Sequence, residues 1–142
     1  MRHPPVQPNL REAVPFLGVT DVAASARFYT EGLGFAMPLS WSPGGVLRWC
    51  RVERDGVGLM LQTVNQPPEH PLGYGTTVCV ICADALALYS EFTERGIACA
   101  EPFVGNAMWV VAVVDPDGYH IIFESPTEVP EETRYSEWYP GG

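Results

Sequence analysis

The chain contains no lysine: all eight of its basic residues are arginine. That excludes Schiff-base chemistry and a lysine general base. Positive charge is scarce, with 8 basic against 17 acidic residues and a formal net charge of −9. A phosphate backbone needs a basic stripe, so this balance argues against a nucleic-acid partner. No run of about 20 apolar residues is present for a membrane span, and "MRHPPVQPNLREAVPFLGV" lacks the apolar core of a signal peptide. The expectation is a soluble, cytoplasmic protein with no membrane partner, whose four cysteines are thiols. Cys79 and Cys82 form a lone C-x-x-C in the apolar, β-branched run "TTVCVICAD". Residues three apart on a strand point to opposite faces, so this pair reads as buried strand cysteines rather than a metal or redox site. There is no Gly-rich phosphate loop, and no Ser-His-Asp or Cys-His arrangement has supporting spacing.

What is present describes a globular chain. Its 142 residues are 46% hydrophobic and 18% charged, enough for one domain with a full core. After a proline-rich arm (residues 1–11), "AVPFLGVTD" reads as a short strand ending in a cap. Asp21 caps a helix over "VAASARFYTEGLGF", in which Val22, Ala26, Phe28 or Tyr29, and Leu33 recur at helical spacing. Three strand-length segments follow, "FAMPLSW", "VLRWCRVE" and "VGLMLQTV", separated by the turn signals "SPGG" and "RDG". A linker, "NQPPEHPLGYG", separates this β-α-β-β-β unit from a second one. In the second unit the helix starts at Asp84, and the strands are "TTVCVICA", "IACAEPF", "MWVVAVVD" and "HIIFESP". "DPDG" joins the last two as a tight turn, which makes Asp115 and Asp117 turn residues. The helical segments "DVAASARFYTEGLGF" and "DALALYSEFTERGIA" align, so the chain is an internal repeat of about 60 residues. The expected fold is α+β: two βαβββ modules, residues 12–66 and 74–127, forming open half-barrels around a cleft with helices outside. The tail is residues 128–142.

This order, with "PFLGVTDVAASARFYTEGLGF" near the start and "DPDGYHIIFESP" near the end, resembles the vicinal oxygen chelate superfamily. That group includes glyoxalase I, extradiol dioxygenases, fosfomycin-resistance enzymes and bleomycin-resistance proteins. In its metal-dependent members, the first and last strands of each unit supply the ligands, usually His or Glu. Carried onto this chain, the ligand positions fall on Val14, Met60, Thr76 or Thr77, and Ile122. Val14, Met60 and Ile122 cannot hold a hard or borderline cation. The expectation is therefore no metal and no cofactor.

On the last strand His120, Ile122 and Glu124 share one face. Tyr119, Ile121 and Phe123 share the other face and pack under the helix. His120 and Glu124 are candidate catalytic residues, and Gln62 is their best polar partner from another strand. Candidate ligand contacts are Met60, Gln62, Trp49, Trp109, His120, Ile122 and Glu124. Alternation puts Arg48 and Cys50 on one face of their strand and Trp49 and Arg51 on the other, and either face fits the cleft.

The function expected from this resemblance is metal-free binding of a small molecule in an apolar cleft. It would resemble the drug-sequestering bleomycin-resistance proteins and an antibiotic-resistance role. The net charge favours a cationic, aromatic ligand. The alternatives are a glyoxalase-type lyase, isomerase or dioxygenase using His120, Glu124 and Gln62 as unusual metal ligands, or metal-independent acid-base chemistry by His120 and Glu124. Open half-barrels leave sheet edges that need covering, so a homodimer is expected, with Tyr135, Trp138 and Tyr139 of the tail suited to docking on a neighbouring surface.

Overall fold

A computed structural model describes residues 3–65 and 69–139. The expected end of the first module at residue 66, the middle of the linker, and the extremities of arm and tail lie outside the described residues. The chain builds two four-stranded mixed sheets, each with one helix packed on one face.

The first sheet has the order β1-β4-β3-β2, from β1 (Phe16–Val19), β2 (Ala36–Trp41), β3 (Trp49–Arg54) and β4 (Val57–Thr63). β1 runs parallel to β4, and the other neighbours are antiparallel. The helix α1 (Val22–Arg27) connects β1 to β2 and continues into a π-helical turn, Phe28–Gly32. Asp21 caps it by accepting from Ala24 N–H at 3.1 Å, a contact worth about 1 kcal/mol. Pro38 lacks an N–H and sits where a strand tolerates that, on the edge strand β2, where the register slips between Ala36 and Leu39.

The second sheet repeats the plan as β5-β8-β7-β6. Its strands are β5 (Thr77–Ile81), β6 (Phe103–Gly105), β7 (Met108–Val114) and β8 (His120–Pro126). The helix α2 (Ala85–Glu94) is capped by Asp84, which accepts from Ala87 N–H at 3.0 Å. The strand expected over "IACAEPF" is a correction: residues 97–102 are extended coil, and only Phe103–Gly105 pairs with β7. Pro102 cannot donate to a ladder, and the tail takes up the outer edge of β6. Thr133 O accepts from Val104 N–H, and Val104 O accepts from Glu132 N–H. A four-residue helix α3 (Tyr135–Trp138) then seats Tyr135 edge-on against Tyr89 of α2. The tail thus docks on its own chain.

Alternation sorts the strands into two faces. Leu17, Val19, Cys50, Val52, Leu59 and Leu61 are buried under α1, and Trp109, Val111, Val113, Ile121 and Phe123 are buried on the helix side of the second sheet. The opposite face of each sheet is open.

The two halves are joined by hairpins reaching across to helices. The β7–β8 turn brings Asp117 to Thr20, whose N–H and hydroxyl donate to it at 3.1 and 2.9 Å. Asp115 accepts from Tyr29 Oη at 2.8 Å, and Tyr119 Oη donates to Gly18 O at 2.8 Å. Reciprocally, Arg54, at the end of β3, clamps Glu91 of α2 with two bonds of 2.7 and 2.8 Å. Asp115 and Asp117 are therefore more than turn residues: both are buried and tie the second half to the first. The linker also packs on this joint. A Cβ at Gly73 would lie 2.1 Å from Tyr119 N, so the chain can pass only as glycine.

Candidate functional site

The open face of the first sheet is ordered in cross-strand rows. In one row Trp41 lies opposite Trp49, Trp49 opposite Gln62, and Gln62 opposite Gly18. In the next, Leu39 lies opposite Arg51, Arg51 opposite Met60, and Met60 opposite Phe16. The strand whose orientation was open thus presents Trp49 and Arg51, while Cys50 and Val52 are fully buried behind it. Three large apolar side chains on this face meet solvent: Phe16 is 56% exposed, Leu39 55% and Trp41 60%. Arg51 is held between Glu53 at 3.1 Å and Glu12 at 3.4 Å, so its charge is compensated within the face.

At the ends of these strands a cavity of about 370 Å³ is lined by Trp41, Pro43, Arg48, Gln62, Thr63 and Asn65. Its rim is the turn between β2 and β3, where Gly44 and Gly45 take φ of +64° and +83°. Only glycine adopts such values at no cost, which lets the chain reverse beside the cavity.

The open face of the second sheet carries Thr77, His120 and Val114 in one row, then Cys79, Ile122 and Ala112, then Ile81, Glu124, Val110 and Phe103. His120, Ile122 and Glu124 share this face, and Ile121 and Phe123 lie buried under the helix, as expected. Cys79 corrects the sequence reading: it is exposed on the open face, whereas Cys82 follows the strand and is half-buried. Burial, then the nearby Glu124 carboxylate, push the Cys79 thiol up, the opposite of what an activated nucleophile requires.

The structure brings together some expected site residues and separates others. Trp49, Met60 and Gln62 are neighbours on the first sheet, and His120, Ile122 and Glu124 are neighbours on the second. Trp109 is a correction. It points under α2, is 4% exposed and belongs to the core, because its place in β7 alternates with Met108 and Val110 rather than with them on the open side. Gln62 sits on a different sheet from His120 and Glu124, and no strand pairing joins the sheets among the described residues. His120 and Glu124 are themselves separated by Ile122. Phe16 and Leu39 were not among the expected site residues. Alternation would have found them had the strand register been known.

The ligand positions that the resemblance implies can be placed on the two halves. Val14 and Thr77 each lie seven residues ahead of the capping aspartates Asp21 and Asp84, and Thr77 falls on the open face, with Thr76 outside the strand. The donor set is then Val14, Met60, Thr77 and Ile122, which offers one hydroxyl and one thioether. That set does not fit a hard or borderline cation. Among the described residues no three His, Cys, Asp or Glu side chains are grouped so as to share an ion.

A family model matches residues 12–123, most of the chain. The chain belongs to the glyoxalase/bleomycin resistance protein/dioxygenase superfamily. Among curated proteins, none matches. Solved structures with the same fold include TioX from Micromonospora sp. ML1, 18% identical with a TM-score of 0.64, covering 84% of this chain and 99% of that one. TnmS3, an antibiotic-binding protein from Streptomyces sp. CB03234, is 24% identical with a TM-score of 0.64, covering 82% and 98%. The bleomycin-binding protein of Streptomyces verticillus, solved with copper(II)-bleomycin, is 23% identical with a TM-score of 0.63, covering 83% and 96%. At these identities the likeness is one of fold. Among the described residues no helix is long and apolar enough to cross a membrane.

Proposed function

We infer that this protein binds a small molecule on its open sheet faces and does so without a metal. The observation that carries this reading is the exposed apolar surface of the first sheet, where Phe16, Leu39 and Trp41 are each more than half exposed beside Trp49, Met60 and Gln62. A mostly apolar surface with a few polar groups is the usual chemistry of a small-molecule site. An unpartnered apolar patch on a folded protein marks a binding surface. Two solved structures of the same fold support the same reading, since TnmS3 and the Streptomyces verticillus protein are binding proteins by name. The enzyme alternatives lack a comparable observation: Gln62 lies on the first sheet and His120 and Glu124 on the second, and no hydrogen bond joins the three among the described residues.

The rest of the open surface is best covered by a second copy of the chain. β2 lies at the edge of its sheet, and all six of its residues are exposed. Ile81, Phe103 and Val114 on the second sheet are exposed as well. A homodimer that faces open surfaces toward one another would enclose a ligand between sheets and remove the edge. Tryptophan fluorescence against a panel of planar aromatic compounds tests the binding reading. Saturable quenching by at least one of them, weakened by Trp41→Ala, is expected. A panel without effect would overturn it.

A further inference from the structure

The cavity at the strand ends of the first sheet differs in charge from the protein that contains it. The chain has a net charge of −9, yet none of the six residues lining this cavity is acidic, and one is Arg48. Arg51, Arg54 and Arg95 each pair with carboxylates, whereas Arg48 forms no ion pair among the described residues. Its side chain is exposed, and its backbone is held in place. Arg48 N–H donates to Trp41 O at 2.9 Å, and Thr63 N–H donates to Arg48 O at 3.0 Å, so the backbone is pinned on both sides at the mouth of the cavity. Around it stand further groups able to donate hydrogen bonds: the amides of Gln62 and Asn65, the hydroxyl of Thr63 and the indole N–H of Trp41. A guanidinium is a planar fork of donors matched to carboxylate and related oxyanions, and it cannot accept.

We propose that this cavity takes the anionic or oxygen-rich end of a planar aromatic ligand, with Arg48 as its charge partner and Trp41 as its apolar wall. The proposal rests on the small-molecule reading and assigns the sign of the ligand at this end. That sign is opposite to the one the overall charge suggests: long-range charge steers encounter, but a contact within the cavity is decided by the groups that line it. Glu124, the carboxylate on the open face of the second sheet, is not among the residues that line this cavity.

The test is calorimetric titration of the full-length chain with three probes of nearly equal shape: 2-naphthoate, 2-naphthamide and 2-naphthylmethylammonium. At low salt the carboxylate should bind at least about three-fold more tightly than the amide, the range of an ion pair at a partly solvated site. The ammonium should bind most weakly, and salt should shrink the difference. Arg48→Gln should weaken the carboxylate more than the amide and bring their ratio to about one, with the melting temperature unchanged, and Arg48→Lys should restore part of the preference. If the amide binds but the three probes are equivalent, the ammonium is preferred, or Arg48→Gln keeps the ratio, the charge assignment is wrong and the binding reading stands. If none of the three binds, both are overturned.

Discussion

Asp115 accepts hydrogen bonds from Tyr29 Oη and from the backbone N–H groups of Asp117 and Tyr119 at 2.8–2.9 Å, all in a buried setting. Burial pushes its carboxyl above the ordinary range, against the lowering effect of those donors, and burial followed by the Asp115 charge pushes the Tyr29 hydroxyl strongly up. Asp115→Ala should cost about 3 kcal/mol in chemical denaturation, because it leaves a phenol and two amides without partners. The pH dependence has a definite sign. A carboxyl whose folded pKa is raised contributes stability that is present below its unfolded pKa and lost as pH rises through the folded one. The difference in stability between wild type and Asp115→Asn should therefore shift toward wild type as pH falls through the raised folded value toward the ordinary carboxylate range. Glu91 has the opposite sign, since its hydrogen bonds to Arg54 hold its carboxyl below the usual range. Its contribution is present at neutral pH and fades as pH falls through that lowered value. Glu91→Gln should flatten acid unfolding, with a loss at neutral pH of about 1 kcal/mol, as both partners retain some solvent contact. At this scale the sequence was legible where chemistry is local, as in the caps Asp21 and Asp84. It was silent on Asp115 and Asp117, because their partners lie 86 to 97 residues away.

The elements follow from periodicity and capping, and so the βαβββ repeat could be read directly. The faces of β8 were legible from alternation, since His120, Ile122 and Glu124 contrast with Ile121 and Phe123. The face of β7 was not, because Met108–Val114 is apolar throughout and alternation carries no signal in such a run. That is why Trp109 was expected in the cleft and is found in the core. The tail shows the same limit. Its aromatics suited docking, but only the fold shows that Tyr135 sits edge-on to Tyr89 and stacked with Tyr139 on its own chain. Tyr135→Ala should lower stability by about 1–2 kcal/mol and speed amide exchange in β6, whose outer edge the tail occupies. Unchanged exchange at Val104 would show that the tail does not protect that edge.

For the whole molecule, two sheets are locked together through hairpin-to-helix contacts while both open faces stay uncovered. The proposed homodimer predicts twice the chain mass by light scattering at micromolar concentration. Leu39→Glu on the exposed edge strand should shift the population toward monomer. A monomer at all concentrations would instead leave the open faces to ligand alone. The central claim, metal-free capture of a small molecule on the open face, is tested most directly by calorimetric titration with planar aromatic compounds, bleomycin-like ones included, with and without a strong chelator. The account predicts saturable binding to at least one compound with the same affinity in both conditions, reduced at least about ten-fold by Trp41→Ala. Binding that disappears with the chelator, or no binding by any compound, would contradict it.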